Sequence, residues 1–119
     1  MVSNMKKHKN SNIIEHIIYP NGHEEWYQND KLHREDGPAL IFSDGDQFWY
    51  QNNKLHREDG PAVTYSNGDQ FWWQNDQRHR EDGPAVIYSN GKKEWYRNGK
   101  KYEICNLLSN LQFDIKDGL

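Results

Sequence analysis

Only one cysteine, Cys105, occurs in the 119 residues. No intramolecular disulfide can form, so stability does not depend on an oxidising compartment, and an intracellular site is expected. Long apolar runs are missing too. Nothing approaches the roughly 18 residues of a membrane span, and the N-terminus lacks the apolar stretch of a secretion signal, so a cytoplasmic, non-membrane protein is expected. A strong charge of one sign is also lacking. Fifteen Lys and Arg stand against 18 Asp and Glu, a net charge of -3, which gives no overall attraction to nucleic acid or anionic membrane. Apolar residues make up only 34% of the chain, too few for a sound core if they were scattered.

They are not scattered. Five Trp, seven Tyr and four Phe fall mostly at fixed intervals, and each aromatic side chain can bury roughly 150–250 Å². The interval is set by His33-Arg34-Glu35-Asp36-Gly37-Pro38-Ala39, which returns at His56 to Ala62 and again at His79 to Ala85, a step of 23 residues both times. A fixed period in this range marks an array of small supersecondary units, each packing on a copy of itself. The length suits one such domain.

Within each period a β-branched or aromatic run meets an Asn-Gly or Asp-Gly pair and then a second aromatic run, as in Val63 to Trp73 around Asn67-Gly68. That pattern predicts a two-residue hairpin with positive φ at both central residues. Such a turn pairs Tyr65 with Gln70, Thr64 with Phe71, Val63 with Trp72 and Ala62 with Trp73. Val63, Tyr65 and Trp72 then share one face, and Ala62, Thr64, Phe71 and Trp73 the other. The first face is nearly constant between copies and is the expected core. The second is graded: Glu25 and Glu94 in the outer hairpins replace Phe48 and Phe71 of the inner two.

Ten-residue connectors such as Asn52 to Pro61 link the hairpins. Asn29, Asn52, Asn75 and Asn98 mark a second turn, and Gly-Pro marks re-entry to the next strand. Residues 1–12 read as a disordered lead-in and 13–101 as the repeat domain. Residues 102–119 read as a C-terminal cap, with Ile104, Leu107, Leu108 and Leu111 at the spacing of a short amphipathic helix over 103–112. The expected fold is mainly β: an elongated, twisted antiparallel meander of four β-hairpins closed by that helix.

Glu94-Trp95-Tyr96-Arg97-Asn98-Gly99-Lys100, Gly83-Pro84-Ala85-Val86-Ile87-Tyr88-Ser89-Asn90-Gly91 and the period together resemble the membrane occupation and recognition nexus (MORN) repeat, more closely its bacterial and viral variant, over about residues 14–101. The resemblance implies a β-hairpin per unit, hairpins joined into one elongated twisted sheet, and a non-catalytic scaffold or binding role. It also implies a phage-encoded protein that blocks a host complex, such as a defence system. The family's inner glycine before Trp is replaced here by Glu25, Phe48, Phe71 and Glu94, and lipid binding is not carried over.

No catalytic residues, cofactor or metal are expected. His33, His56 and His79 recur two strand spacings apart, about 10 Å, too far for two of them to share an ion bound at roughly 2 Å. The same distance separates any nucleophile from a base in the next repeat. The expected function is protein binding, with Phe48, Tyr50, Phe71 and Trp73 as anchors of the type that dominates interfaces. Arg34, Arg57 and Arg80 form a stripe that either pairs with the neighbouring Glu and Asp or meets an acidic partner. The alternatives are a nucleic-acid or nucleotide binder using that stripe with stacked aromatics, and a scaffold that self-associates through the edge of its first hairpin.

Overall fold

A computed structural model describes residues 13–103. The expected lead-in, and the cap beyond Glu103 with its helix, lie outside the described residues. Fourteen strands follow one another along the chain: β1 (Ile14–Ile18), β2 (Glu24–Gln28), β3 (Lys31–Leu32), β4 (Leu40–Ile41), β5 (Gln47–Phe48), β6 (Tyr50–Gln51), β7 (Lys54–Leu55), β8 (Val63–Thr64), β9 (Gln70–Phe71), β10 (Trp73–Gln74), β11 (Gln77–Arg78), β12 (Val86–Ile87), β13 (Lys93–Arg97) and β14 (Lys100–Tyr102). All the pairings are antiparallel and no helix occurs among the described residues. The chain is the mainly β antiparallel meander that the period predicts, spread over 59 × 31 × 19 Å.

The strands lie in two rows. The first follows the order β1-β2-β4-β5-β8-β9-β12-β13, two strands per repeat, and is continued by β14 on β13 and by β3, which pairs with β2. The second row comes from the connectors. Each connector carries its own small hairpin, β6 with β7 and β10 with β11. Neighbouring hairpins are bridged by Arg34 N–H to Tyr50 O (3.1 Å), Asn53 N–H to Leu32 O (2.9 Å), Arg57 N–H to Trp73 O (3.0 Å) and Asp76 N–H to Leu55 O (2.9 Å). The connectors are therefore not loops stacked beside a sheet. They pair with one another, because two-residue strands leave backbone groups that must find partners.

Trp49 and Trp72 join the rows. Trp49 donates its N–H to Ala62 O of the next repeat (2.7 Å) and accepts from His56 N–H (3.0 Å), and Trp72 does the same with Ala85 (2.7 Å) and His79 (3.1 Å). Ala39, Ala62 and Ala85 beside these crossings are wholly buried, as is Val86, while Val63 is 3% exposed. Only small side chains fit there, so the core is thin, with each valine contributing about 1.5–3 kcal/mol.

The register differs from the predicted one by a single residue. Val63 lies opposite Phe71 and Thr64 opposite Gln70. The loop has three residues: Gly68 N–H bonds Tyr65 O (2.9 Å) and Tyr65 N–H bonds Asp69 O (3.0 Å). Of the loop residues only the glycine has positive φ, +101° at Gly68 and +94° at Gly22, which is the glycine-bulged hairpin rather than the two-residue turn. The two-residue turns with both φ positive stand instead in the second row. There Asn52 and Asn53 (51° and 68°) and Asn75 and Asp76 (50° and 66°) are the central residues. Since side chains alternate, the slip moves Phe71 and Trp73 onto the face of Val63 and Tyr65 and leaves Trp72 with Ala62 and Thr64.

Candidate functional site: two faces of one array

The corrected register gathers the aromatic side chains on the face that carries Val63 and Val86. Phe42, Phe48, Tyr65, Phe71 and Tyr88 follow one another edge to face, with centroids 5.4, 5.9, 5.6 and 6.0 Å apart and interplanar angles of 86–89°. At the first repeat the ladder continues through His23, 4.7 Å from Phe42, to Tyr19. Edge-to-face contact places the positive ring edge against the negative face of the next ring, so the rings brace one another without being buried. Tyr19, Phe42 and Tyr65 remain 37–38% exposed. The predicted anchors Phe48, Tyr50, Phe71 and Trp73 all belong to this face and are half-buried. Burial foremost, and then the nearby charge of Asp76, raises the Tyr50 phenol above its ordinary range. Phe42, Tyr65 and Tyr88, which the sequence reading places on the valine face and opposite to these anchors, stay on that face and share one ladder with Phe48 and Phe71.

The other face carries the HREDGPA loops. Arg34, Arg57 and Arg80 lie with the guanidinium carbon 3.9, 3.8 and 4.1 Å from the ring centroids of Trp26, Trp49 and Trp72. Each Nε donates to the aspartate two residues on (3.0–3.1 Å) and each Nη1 to the following proline carbonyl (3.0–3.2 Å). The loop glycine closes the sandwich: a Cβ on Gly60 would stand 2.7 Å from Arg57 Cζ. A side chain there would push the guanidinium off the Trp49 ring, so glycine is favoured by this close approach and not by its φ. These arginines are about one-quarter exposed, whereas the aspartates they hold are 86–89% exposed. What this face presents to solvent is carboxylate over a guanidinium already engaged.

Each histidine of the motif is 8–9% exposed. His33, His56 and His79 accept at Nδ1 from the backbone N–H of Asn52, Asn75 and Asn98, at 3.1, 3.1 and 2.9 Å. Nε2–H is then left to donate to Glu35, Glu58 or Glu81. That assigns the neutral Nε2–H tautomer. Nδ1 accepts because the turn of the next repeat points an otherwise orphaned amide at it. Both ring nitrogens are used in each case, and among the described residues no three His, Cys, Asp or Glu side chains group around a common point.

In the first repeat Glu25 takes the place of the ladder phenylalanine. It accepts from Tyr19 Oη (3.1 Å), Tyr27 Oη (2.9 Å) and His23 Nε2 (2.8 Å). Burial alone would raise this carboxyl, but the three hydrogen bonds outweigh it and hold the group below its ordinary value. Burial, and then the bond to Glu25, pushes Tyr27 up to about 12. The fold therefore favours the neutral phenol. Its contribution is complete below pH about 10 and is lost as pH rises towards about 12. Denaturation midpoints measured across that range should fall for the native chain and fall less steeply for Tyr27→Phe; parallel curves would refute the assignment.

No family model matches the chain, and no curated protein and no solved structure matches it.

Proposed function

We propose that the chain is a non-catalytic protein-binding module whose contact surface is the valine face. The observation behind this reading is the aromatic ladder: five rings in sequence, braced by one another, with Phe42 and Tyr65 more than one-third exposed. Exposed aromatic strips rimmed by charge are where partners dock, and rigid aromatics lose little entropy on binding. The MORN-like repeat supports the same reading and favours a phage-encoded inhibitor of a host complex as its form. The nucleic-acid alternative is weakened, because Arg34, Arg57 and Arg80 are already held by Trp, Asp and a carbonyl.

The double variant Phe48→Ala, Phe71→Ala tests the reading. Co-purification from the native host should lose its partner while circular dichroism keeps the β signature. Retained capture by a folded double variant would sink the proposal. The scaffold alternative keeps one observation of its own. β1 has no neighbour on its outer side among the described residues, and Ile14 and Ile18 there are 65% exposed. Light scattering separates the two readings: a strict monomer at high concentration removes end-to-end assembly.

A further inference from the structure

Arg78 is the point where the repeat changes character on the valine face. Leu32 and Leu55 occupy the same place in the two preceding repeats, opposite Tyr27 and Tyr50, as Arg78 is opposite Trp73. Its guanidinium carbon stands 5.2, 5.4 and 5.2 Å from the ring centroids of Phe71, Trp73 and Tyr96. One terminal nitrogen donates to Tyr96 Oη at 3.3 Å, and Nε is buried with no acceptor. Arg34, Arg57 and Arg80 each hold an aspartate, yet among the described residues no carboxylate forms an ion pair with Arg78. A guanidinium walled by three rings and lacking a counter-charge is costly, and leucine at this place avoids the cost twice in the same chain.

Resting on the protein-binding reading, we infer that Arg78 receives a carboxylate from the protein partner. The partner segment bears one Asp or Glu with an apolar side chain set apart from it along the strip. The carboxylate meets the unused N–H groups of Arg78 while the apolar side chain lies on the rings of Phe48 and Tyr65, one repeat away. One repeat is two strand spacings, about 10 Å, which a segment in the polyproline-II conformation covers in three residues, about 3.1 Å each, with both side chains on the same side because three residues make one turn. The segment is therefore of the form apolar-x-x-acidic. Its direction follows from Arg78 itself, because carboxylates stand at both ends of the face: Glu15 and Glu25 at the first repeat, and Glu94, paired with Lys101 at 3.7 Å, at the last. Charge-assisted pairing beside aromatic walls is stronger than the same pair in open water.

Synthetic peptides added to the full chain test this. One carries Leu-x-x-Asp in an otherwise neutral sequence, one has Asn for Asp, and one has Lys. Binding is read by tryptophan fluorescence and by the NMR signal of the Arg78 Nε–H. The Asp peptide should bind about tenfold more tightly than the Asn peptide, the Lys peptide least, and the Arg78 signal should shift only with Asp. Arg78→Leu adopts the residue of the earlier repeats, so it should fold, keep the affinity of the Asn peptide and lose the preference for Asp. Equal affinity for the Asp and Asn peptides overturns the role of Arg78 while leaving the docking face intact. Binding of none of the three overturns the partner chemistry, and the Phe48, Phe71 double variant still judges the docking face on its own. Displacement of the Asp peptide by inorganic phosphate or a single-stranded oligonucleotide at equal concentration also overturns it, in favour of a general anion site.

Discussion

Substituting phenylalanine for His33, His56 and His79 in one chain should bring it to the edge of unfolding. Each change keeps a ring in place but removes the acceptor for the amide of Asn52, Asn75 or Asn98. A donor left without a partner costs up to about 1–3 kcal/mol, and these three are only half-buried, so together they cost at most about 3–9 kcal/mol. A domain of this size has only about 5–15 kcal/mol to lose. Urea denaturation gives the total, and hydrogen exchange gives the cause. In the single variant His56→Phe, protection should fall at the Asn75 amide before it falls elsewhere. Unchanged protection of that amide would show that the ring matters only for packing.

Arg57→Lys should cost nearly as much as Arg57→Ala, about 2–4 kcal/mol from the lost cation–π contact and the charge-assisted bond to a carbonyl. The usual expectation for a surface pair is far smaller, about 0–1 kcal/mol. The difference lies in shape. Arg57 fills the space between Trp49 and Gly60 with a flat group that donates to Asp59 and to Pro61 O at once. An ammonium is a point charge without a plane, and it cannot lie in that slot while reaching both acceptors. Chemical denaturation of the two variants decides it, and a lysine variant as stable as the native chain would reduce the sandwich to an ordinary exposed ion pair.

The period, the strand positions of the first row and the places of both sets of turns are legible in the sequence because each is a local property. The register is not legible from Asn67-Gly68 or Asp44-Gly45, since Asx-Gly serves both the two-residue turn and the first part of the glycine-bulged one. Pro20 distinguishes them. It precedes Asn21-Gly22, where a two-residue turn needs an N–H from that residue, and proline has none to give. It suits the second position of the turn from Tyr19 to Gly22, closed by Gly22 N–H to Tyr19 O at 2.9 Å. That one residue of slip put Phe48, Tyr50, Phe71 and Trp73 on the wrong side of the predicted sheet, away from Phe42, Tyr65 and Tyr88. The second row is hidden for another reason: Lys54-Leu55 and Gln77-Arg78 are too short to show alternation. The Trp and Arg sandwiches join residues eight positions apart, such as Trp49 and Arg57, and depend on a chain reversal that composition does not reveal.

The histidine bond gives the array a direction and a stop. Every motif histidine reaches forward to the turn of its successor, and none reaches back. Tyr102 stands 23 residues after His79, where a fourth histidine would fall, and it has no ring nitrogen to offer. A unit inserted between His56 and His79 would satisfy both neighbours and lengthen the aromatic strip by about 10 Å, two strand spacings. A unit appended after Tyr102 would find no acceptor waiting. The number of HRED motifs is thus a ruler for the aromatic strip, whose length can change by counting rather than by redesigning the packing.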